Sequence, residues 1–241
     1  MEAAAPIMIS VATSVGFMRG KSTSTIIGVV LTFVGCVTVH AADADVERAL
    51  AAVRSRAEAG DVAAQFSLGE MLYSGSTDTA QAVEWLRKAA AQGYAPAEFQ
   101  VGQLYDFGFV VSQSDDEALA WYRQAADHGS AAGARQVGEF YRRGRSVAAN
   151  PSEAVRWYRR AAERDDLRAQ FQLGQMFLDG SGVARDNRQA FLWFSVAAQQ
   201  TPLVDNYKAL IEFSNIAAAR MTPDDEALAR AAVAAWKPLR D

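Results

Sequence analysis

Cysteine is almost absent: Cys36 is the only one in 241 residues, and histidine occurs twice, at His40 and His128. A disulfide framework within one chain and a Cys/His metal cluster are thereby excluded. No serine sits in a G-x-S-x-G elbow and no H-E-x-x-H occurs, which removes two hydrolase signatures. Positive charge is not in excess either. The 24 basic and 28 acidic side chains leave a formal net charge of −4, poor footing for nucleic acid as the main partner. What is present in quantity is apolar mass, 50% of residues, enough for a continuous core.

The first 47 residues hold only two basic side chains, Arg19 and Lys21. An apolar stretch, Ile26 to Val39, follows them, and Val39-His40-Ala41 then supplies small residues at the −3 and −1 positions of a cleavage site. Basic head, apolar middle and small-residue exit describe a secretory signal peptide over residues 1–41, with Met18 a possible true start. As a helix the apolar stretch would rise about 21 Å, short of a ~30 Å bilayer core, so no stable membrane span is expected after cleavage behind Ala41. The stretch GFMRGKST (16–23) imitates a Walker A loop, but Gly16 stands one residue too close to Gly20, and a phosphate nest does not tolerate a missing residue. It reads as the basic front of the export signal. Cys36 follows Phe33-Val34-Gly35, a poor match to a lipidation site, so a lipoprotein is the minor alternative. The expected location is periplasmic or secreted.

From residue 61 the chain repeats. Trp85, Trp121, Trp157 and Trp193 stand 36 residues apart, and each is followed four residues later by an alanine pair, the first being Ala89-Ala90. Upstream, "AQFSLGEMLYSG", "AEFQVGQLYDFG", "GARQVGEFYRRG" and "AQFQLGQMFLDG" align without gaps. Each unit reads as two helices, A and B. In the first, Ala64, Leu68 and Leu72 form an apolar face at four-residue spacing. Gly69, Gly102, Gly138 and Gly174 fall in the middle of helix A, where glycine costs roughly 1 kcal/mol against alanine. A cost repeated in every unit points to close approach of the partner helix. Gly75, Gly108, Gly144 and Gly180 then end helix A, and helix B buries its Trp and alanine pair. Asn150-Pro151 and Thr222-Pro223 read as helix caps with proline in the first turn.

This pattern resembles the Sel-one-like repeat, a relative of the tetratricopeptide repeat, over residues 61–202. The resemblance implies an all-α right-handed solenoid of antiparallel helix pairs. Segments 42–60 and 203–241 are expected to cap its ends, because terminal repeats need a polar outer face. The third unit departs from the pattern: Gly133 replaces the leading alanine, and Arg135 stands where Phe66, Phe99 and Phe171 stand. A locally looser unit or a distinct surface is expected there. Asp165 and Thr201 replace the closing Gly93 and Gly129.

Candidates for chemistry are few. The "GSGV" of 180–183 recurs in degraded form as "GRSV" and "GFVV" and reads as a structural turn. His128 reads as a helix-end cation. The Arg142, Arg143, Arg145, Arg156, Arg159, Arg160 run reads as a solvated face paired with Glu139, Glu153 and Glu163, with contact to an acidic partner as the alternative. The best candidate binding surface is a polar stripe on the A helices, which line the concave face in such solenoids. It comprises Ser67, Glu70 and Tyr73; Gln100, Gln103 and Asp106; Gln136, Glu139 and Arg142; Gln172, Gln175 and Leu178. Tyr73, Leu178, Phe107 and Met176 would supply apolar anchors. The resemblance implies a non-enzymatic interaction module with protein partners in the bacterial envelope, no cofactor, and no nucleic acid. Sel-one-like hydrolases of β-lactams form the enzymatic alternative. They resemble a cysteine-rich subtype whose paired cysteines are missing here. A lipid-anchored spacer is the third reading and requires acylated Cys36.

Overall fold

A computed structural model describes residues 48–74, 79–200 and 206–239. The segment expected to be an export signal, with Met18, Cys36 and Ala41, and the positions Gly75 and Thr201, lie outside the described residues. Helices account for most of the described residues, and no strand occurs among them. They are α1 (48–58), α2 (Val62–Ser74), α3 (Thr79–Ala90), α4 (Ala95–Phe107), α5 (Asp115–Asp127), α6 (Ala131–Arg143), α7 (Pro151–Ala162), α8 (Leu167–Asp179), α9 (Asn187–Gln200), α10 (Asn206–Ala218) and α11 (Pro223–Ala235). Each even-numbered helix from α2 to α8 packs on the odd-numbered helix that follows it, and each pair packs on the next. The architecture is an all-α solenoid.

Local chemistry sets the helix ends. Ser114, Ser130, Asn150, Asp166 and Thr222 each accept a hydrogen bond from a main-chain N–H one turn inside their helix. Proline follows Asn150 and Thr222 in the first turn, as their sequences predict. Gly108, Gly144 and Gly180 end α4, α6 and α8 with φ near +70°, each donating its N–H to the carbonyl four residues back.

The mid-helix glycines face one recurring partner, the residue after each Trp. A Cβ at Gly69 would lie 2.8 Å from Leu86, one at Gly102 2.7 Å from the Tyr122 ring, one at Gly138 2.9 Å from Tyr158, and one at Gly174 2.8 Å from Phe194. Helix B therefore drives a large side chain against bare backbone of helix A. Tyr122, Tyr158 and Phe194 are fully buried as a result. The tryptophans themselves correct the sequence expectation. Only Trp193 is buried; Trp85, Trp121 and Trp157 are half-buried, with Lys88 3.8 Å over Trp85 and Arg160 5.3 Å over Trp157. An amphipathic indole sits well at a boundary where a cation covers its outer face. A second ladder joins successive repeats: Arg87, Arg123 and Arg159 lie over Tyr105, Tyr141 and Phe177 of the next unit, at 5.8, 5.6 and 5.7 Å.

The third unit is not looser; its departures tighten it. A Cβ at Gly133 would lie 2.9 Å from the Tyr122 carbonyl, so α6 approaches α5 more closely than an alanine would allow. Arg135 donates to Asp166 at 3.1 Å across the unit. Asp165 holds the left-handed position of its missing glycine at φ +71°, a conformation that Asp tolerates. The A-to-B loops repeat this need at Val110 (φ +66°), Ser146 (φ +59°) and Gly182 (φ +71°), all 36 residues apart. Only Gly182 suits the geometry. A β-branched residue there is strained, and Val110 is 48% exposed, so little packing compensates. Val110→Gly is expected to raise unfolding stability by about 1 kcal/mol, read as a higher urea midpoint at unchanged slope.

The C-terminal end does not continue the repeat. Both α10 and α11 pack on α9. Phe213 of α10 stacks on Phe194 with centroids 5.2 Å apart. Arg230 of α11 lies over Phe191 at 5.3 Å, and Arg188 pairs with Asp225 at 3.5 Å. The tail then returns, with the Leu239 N–H donating to the Glu163 carbonyl at 2.7 Å, and Trp236 packs against the core.

Candidate functional site

The stripe predicted on the A helices divides into residues that face out and residues that hold the repeats together. Glu70 and Tyr73 on α2 are exposed, Tyr73 by 40%. Gln100, Gln103, Gln136, Gln172 and Gln175 are half-buried. Gln100 reaches across to α2 and donates to Glu70 at 2.9 Å, and Gln136 accepts from Arg135 at 3.1 Å. Asp106 is a correction to an open stripe. It is 6% exposed, and its carboxylate accepts from Tyr122 at 3.0 Å and from Arg145 at 2.7 Å. Leu178 and Met176 are corrections too. Both are 5% exposed, so they belong to the core and offer no anchor.

Glu139 is the charged hub of the third unit. Tyr158 donates to it at 2.6 Å, Arg142 at 2.6 and 2.8 Å, and Arg143 joins them. Burial alone would push its carboxyl up, but the bonds from Arg142 and Tyr158 and the charges of Arg142 and Arg143 win and hold it at about 2. Burial, together with the adjacent carboxylates, pushes the Tyr122 and Tyr158 hydroxyls above the ordinary phenol range. Arg145 lies 4.3 Å over Phe140 and also binds Asp115, whose carboxyl that contact lowers. The arginine run thus pairs more with aspartates than its sequence neighbours suggest: Arg145 with Asp106 and Asp115, Arg160 with Asp127 at 2.9 Å.

A pH dependence follows. Glu139 binds its proton less readily folded than unfolded, where its value is 4.5. Its contribution is present above that value and is lost as pH falls through about 2. With its side chain 21% exposed and solvent screening included, the loss is on the order of 2 kcal/mol. Glu139→Gln is expected to lower stability at neutral pH and to flatten the decline between pH 4.5 and 2, measured by urea titration across that range.

Of the hollows that open on the stripe, two share an aromatic wall. The first, about 200 Å³, is lined by Tyr73, Leu86, Gln100, Gln103, Leu104, Phe107 and Phe109. The second, about 310 Å³, is polar and includes Arg135, Gln136, Glu139, Arg143, Arg145, Arg168 and Gln172. Phe107 is a wall of both. Phe107 and Phe109 are each 55% exposed, with ring centroids 5.7 Å apart. Phe109 and Arg168 were not legible as site residues. Phe109 belongs to a loop that obeys no helical period, and Arg168 is one arginine among many.

A second feature missed in sequence is a polar latch closing the first, second and fourth hairpins; in the third, Ala134 stands at the latch position. Gln92 donates to Gln65 at 2.8 Å in the first unit, and Gln200 to Gln170 at 3.0 Å in the fourth. In the second, His128 Nδ1 lies 2.9 and 2.8 Å from the two oxygens of Glu98, which is 1% exposed. His128 does sit at the end of α5 as predicted, but its partner is that carboxylate. Phase would have revealed the set, since Gln92, His128 and Gln200 fall at multiples of 36 residues. Among the described residues, no group of three or more His, Cys, Asp or Glu is placed to hold a metal ion. Nor is any helix long and apolar enough to cross a membrane.

The Sel1 repeat family matches four consecutive segments, residues 62–94, 95–130, 131–166 and 167–202. Among solved structures, the chain is similar to a Sel1 repeat protein from Oxalobacter formigenes, at 32% identity and a TM-score of 0.66, over 77% of this chain and 79% of that one. It is also similar to a protective antigen of uropathogenic Escherichia coli with an SLR fold, at 27% identity and a TM-score of 0.46. That match covers 76% of this chain and 47% of the antigen, so the chain spans about half the antigen's length. No curated protein matches.

Proposed function

The chain belongs to the Sel1 repeat family, whose repeats mediate protein–protein interaction, and from that premise we propose that it is an exported, non-catalytic docking module of the bacterial envelope that holds a protein segment along α2, α4, α6 and α8. One observation carries the reading. Tyr73, Phe107 and Phe109 are exposed around a single hollow that Gln100 and Gln103 also line. Partly exposed aromatics beside side-chain amides are what an extended chain needs, apolar surface for a side chain and donor–acceptor pairs for its main chain. Export is supported by the basic head at Arg19 and Lys21, the apolar stretch to Val39, and the small-residue exit at Ala41. Its test is the N-terminal sequence of protein recovered outside the cytoplasm, expected to begin at Ala42.

The docking surface is tested by photo-crosslinking in the exporting cell. A photoreactive residue at Gln103 is expected to capture a discrete partner. The same residue at Ala120, exposed on α5, is expected to capture none. Equal capture from both positions, or none from either, would remove this face from the reading.

A further inference from the structure

We propose that the groove selects an extended segment carrying an aromatic or large aliphatic side chain with carboxylates about three residues away from it. The inference rests on the docking reading above and assigns the occupant's chemistry. The first hollow has a buried floor, Leu86 and Leu104, 2% and 5% exposed, and exposed walls, Tyr73, Phe107 and Phe109. Such a site favours a flat or branched apolar side chain.

Charge decides what lies beside it. The second hollow holds four arginines, Arg135, Arg143, Arg145 and Arg168, against two acids, and those acids face inward. Asp106 is buried under Tyr122 and Arg145, and the oxygens of Glu139 are engaged by Tyr158, Arg142 and Arg143. Its accessible charges are guanidiniums. Arg143 has a side chain 59% exposed, and Arg168 is exposed and forms no ion pair among the described residues. A carboxylate arriving there meets more arginines than the two lining acids can neutralise, and guanidinium groups bind carboxylates in fixed, bidentate geometry. Because Phe107 walls both hollows, one ligand can occupy both. Adjacent helices pack about 10 Å apart, a span of roughly three residues of extended chain at ~3.3 Å each.

A long polyanion fits less well. Exposed Glu70 lies on the same face, and the net charge of the chain is −4, so a nucleic acid tracking the groove would be repelled beyond the arginines.

The test is panning of a phage-displayed library of random linear dodecapeptides against the full chain. Fluorescence anisotropy of the enriched peptides follows, at low and high salt. Enriched sequences are expected to place Phe, Tyr, Trp or Leu within about four positions of Asp or Glu. Their affinity is expected to fall steeply with salt, and about tenfold or more in each of Phe109→Ala and Arg168→Glu. Both positions are exposed, and unchanged thermal melts would show that the variants fold. Peptides that lose affinity in Phe109→Ala but contain no acidic residue, and ignore Arg168→Glu, would overturn this inference and leave the groove standing. Peptides indifferent to both substitutions, or no enrichment, would overturn the inference and the groove together. Displacement of an enriched peptide by a short oligothymidylate would overturn the peptide assignment in favour of nucleic acid.

Discussion

Truncating Tyr158 to alanine is expected to destabilise the protein by about 3–5 kcal/mol. The ring is fully buried between α6 and α7, where it fills the space left by Gly138, and its hydroxyl donates to Glu139 at 2.6 Å. Alanine leaves a cavity that a rigid helix pair cannot close. Tyr158→Phe keeps the packing and loses one bond to a carboxylate that Arg142 and Arg143 still hold, so it is expected to cost only about 1–2 kcal/mol. Position in the array amplifies the larger change. Each repeat of a solenoid contacts only its neighbours, and loss of a central one uncouples the two ends. Urea unfolding of Tyr158→Ala is therefore expected to show a lower slope or two transitions, where Tyr158→Phe keeps one. A single transition with a loss under about 1 kcal/mol would show that the interface relaxes around the gap, contrary to the packing argument.

The glycine side of the equivalent contact in the second unit gives the second large effect. Gly102→Val is expected to cost about 3 kcal/mol, despite valine's better helix propensity. Its Cβ would lie 2.7 Å from the Tyr122 ring, which cannot retreat because it is fully buried and its hydroxyl is bonded to Asp106 at 3.0 Å. Gly69→Val faces Leu86 instead, at 2.8 Å, and a leucine can change rotamer, so its cost is expected to be smaller by about 1–2 kcal/mol. Combining Gly102→Val with Tyr122→Leu copies the Gly69→Val variant of the first unit, a valine facing a leucine, and is expected to recover more than about 1 kcal/mol relative to additivity. Equal losses for the two glycine changes in urea titration would mean that helix separation, and not ring rigidity, controls the contact.

These contacts mark where reading from sequence stops. The period of 36 residues, the helix pairs, the caps at Asn150 and Thr222 and the glycine-to-helix approach are all local or repeated, and they are legible because every unit restates them. The tryptophans draw attention first, yet the deep residue of each helix B is the one that follows. Leu86, Tyr122, Tyr158 and Phe194 vary in chemistry while keeping one geometric role, so identity-based reading passes over them. The latch residues Glu98 and His128 were hidden for the same reason.

The binding stripe divides differently. Spacing alone places Gln103, Asp106 and Glu139 on one kind of helix face, because i, i+3 periodicity is a property of the helix. It does not say which of them a neighbouring repeat covers. Asp106 and Glu139 are claimed by tyrosines and arginines that lie 3 to 39 residues away in sequence, and Leu178 is closed over by the core. The aromatic hollow draws on Phe109, which no periodicity places beside Tyr73. By itself, then, the sequence determined the repeat, its helices and its closest backbone contacts, because helix geometry and glycine sterics act over a few residues. Which polar groups are spent inside the solenoid, and which arginines and aromatics remain at its surface, was decided only when one repeat was laid on the next. Burial and charge pairing are properties of neighbours in space.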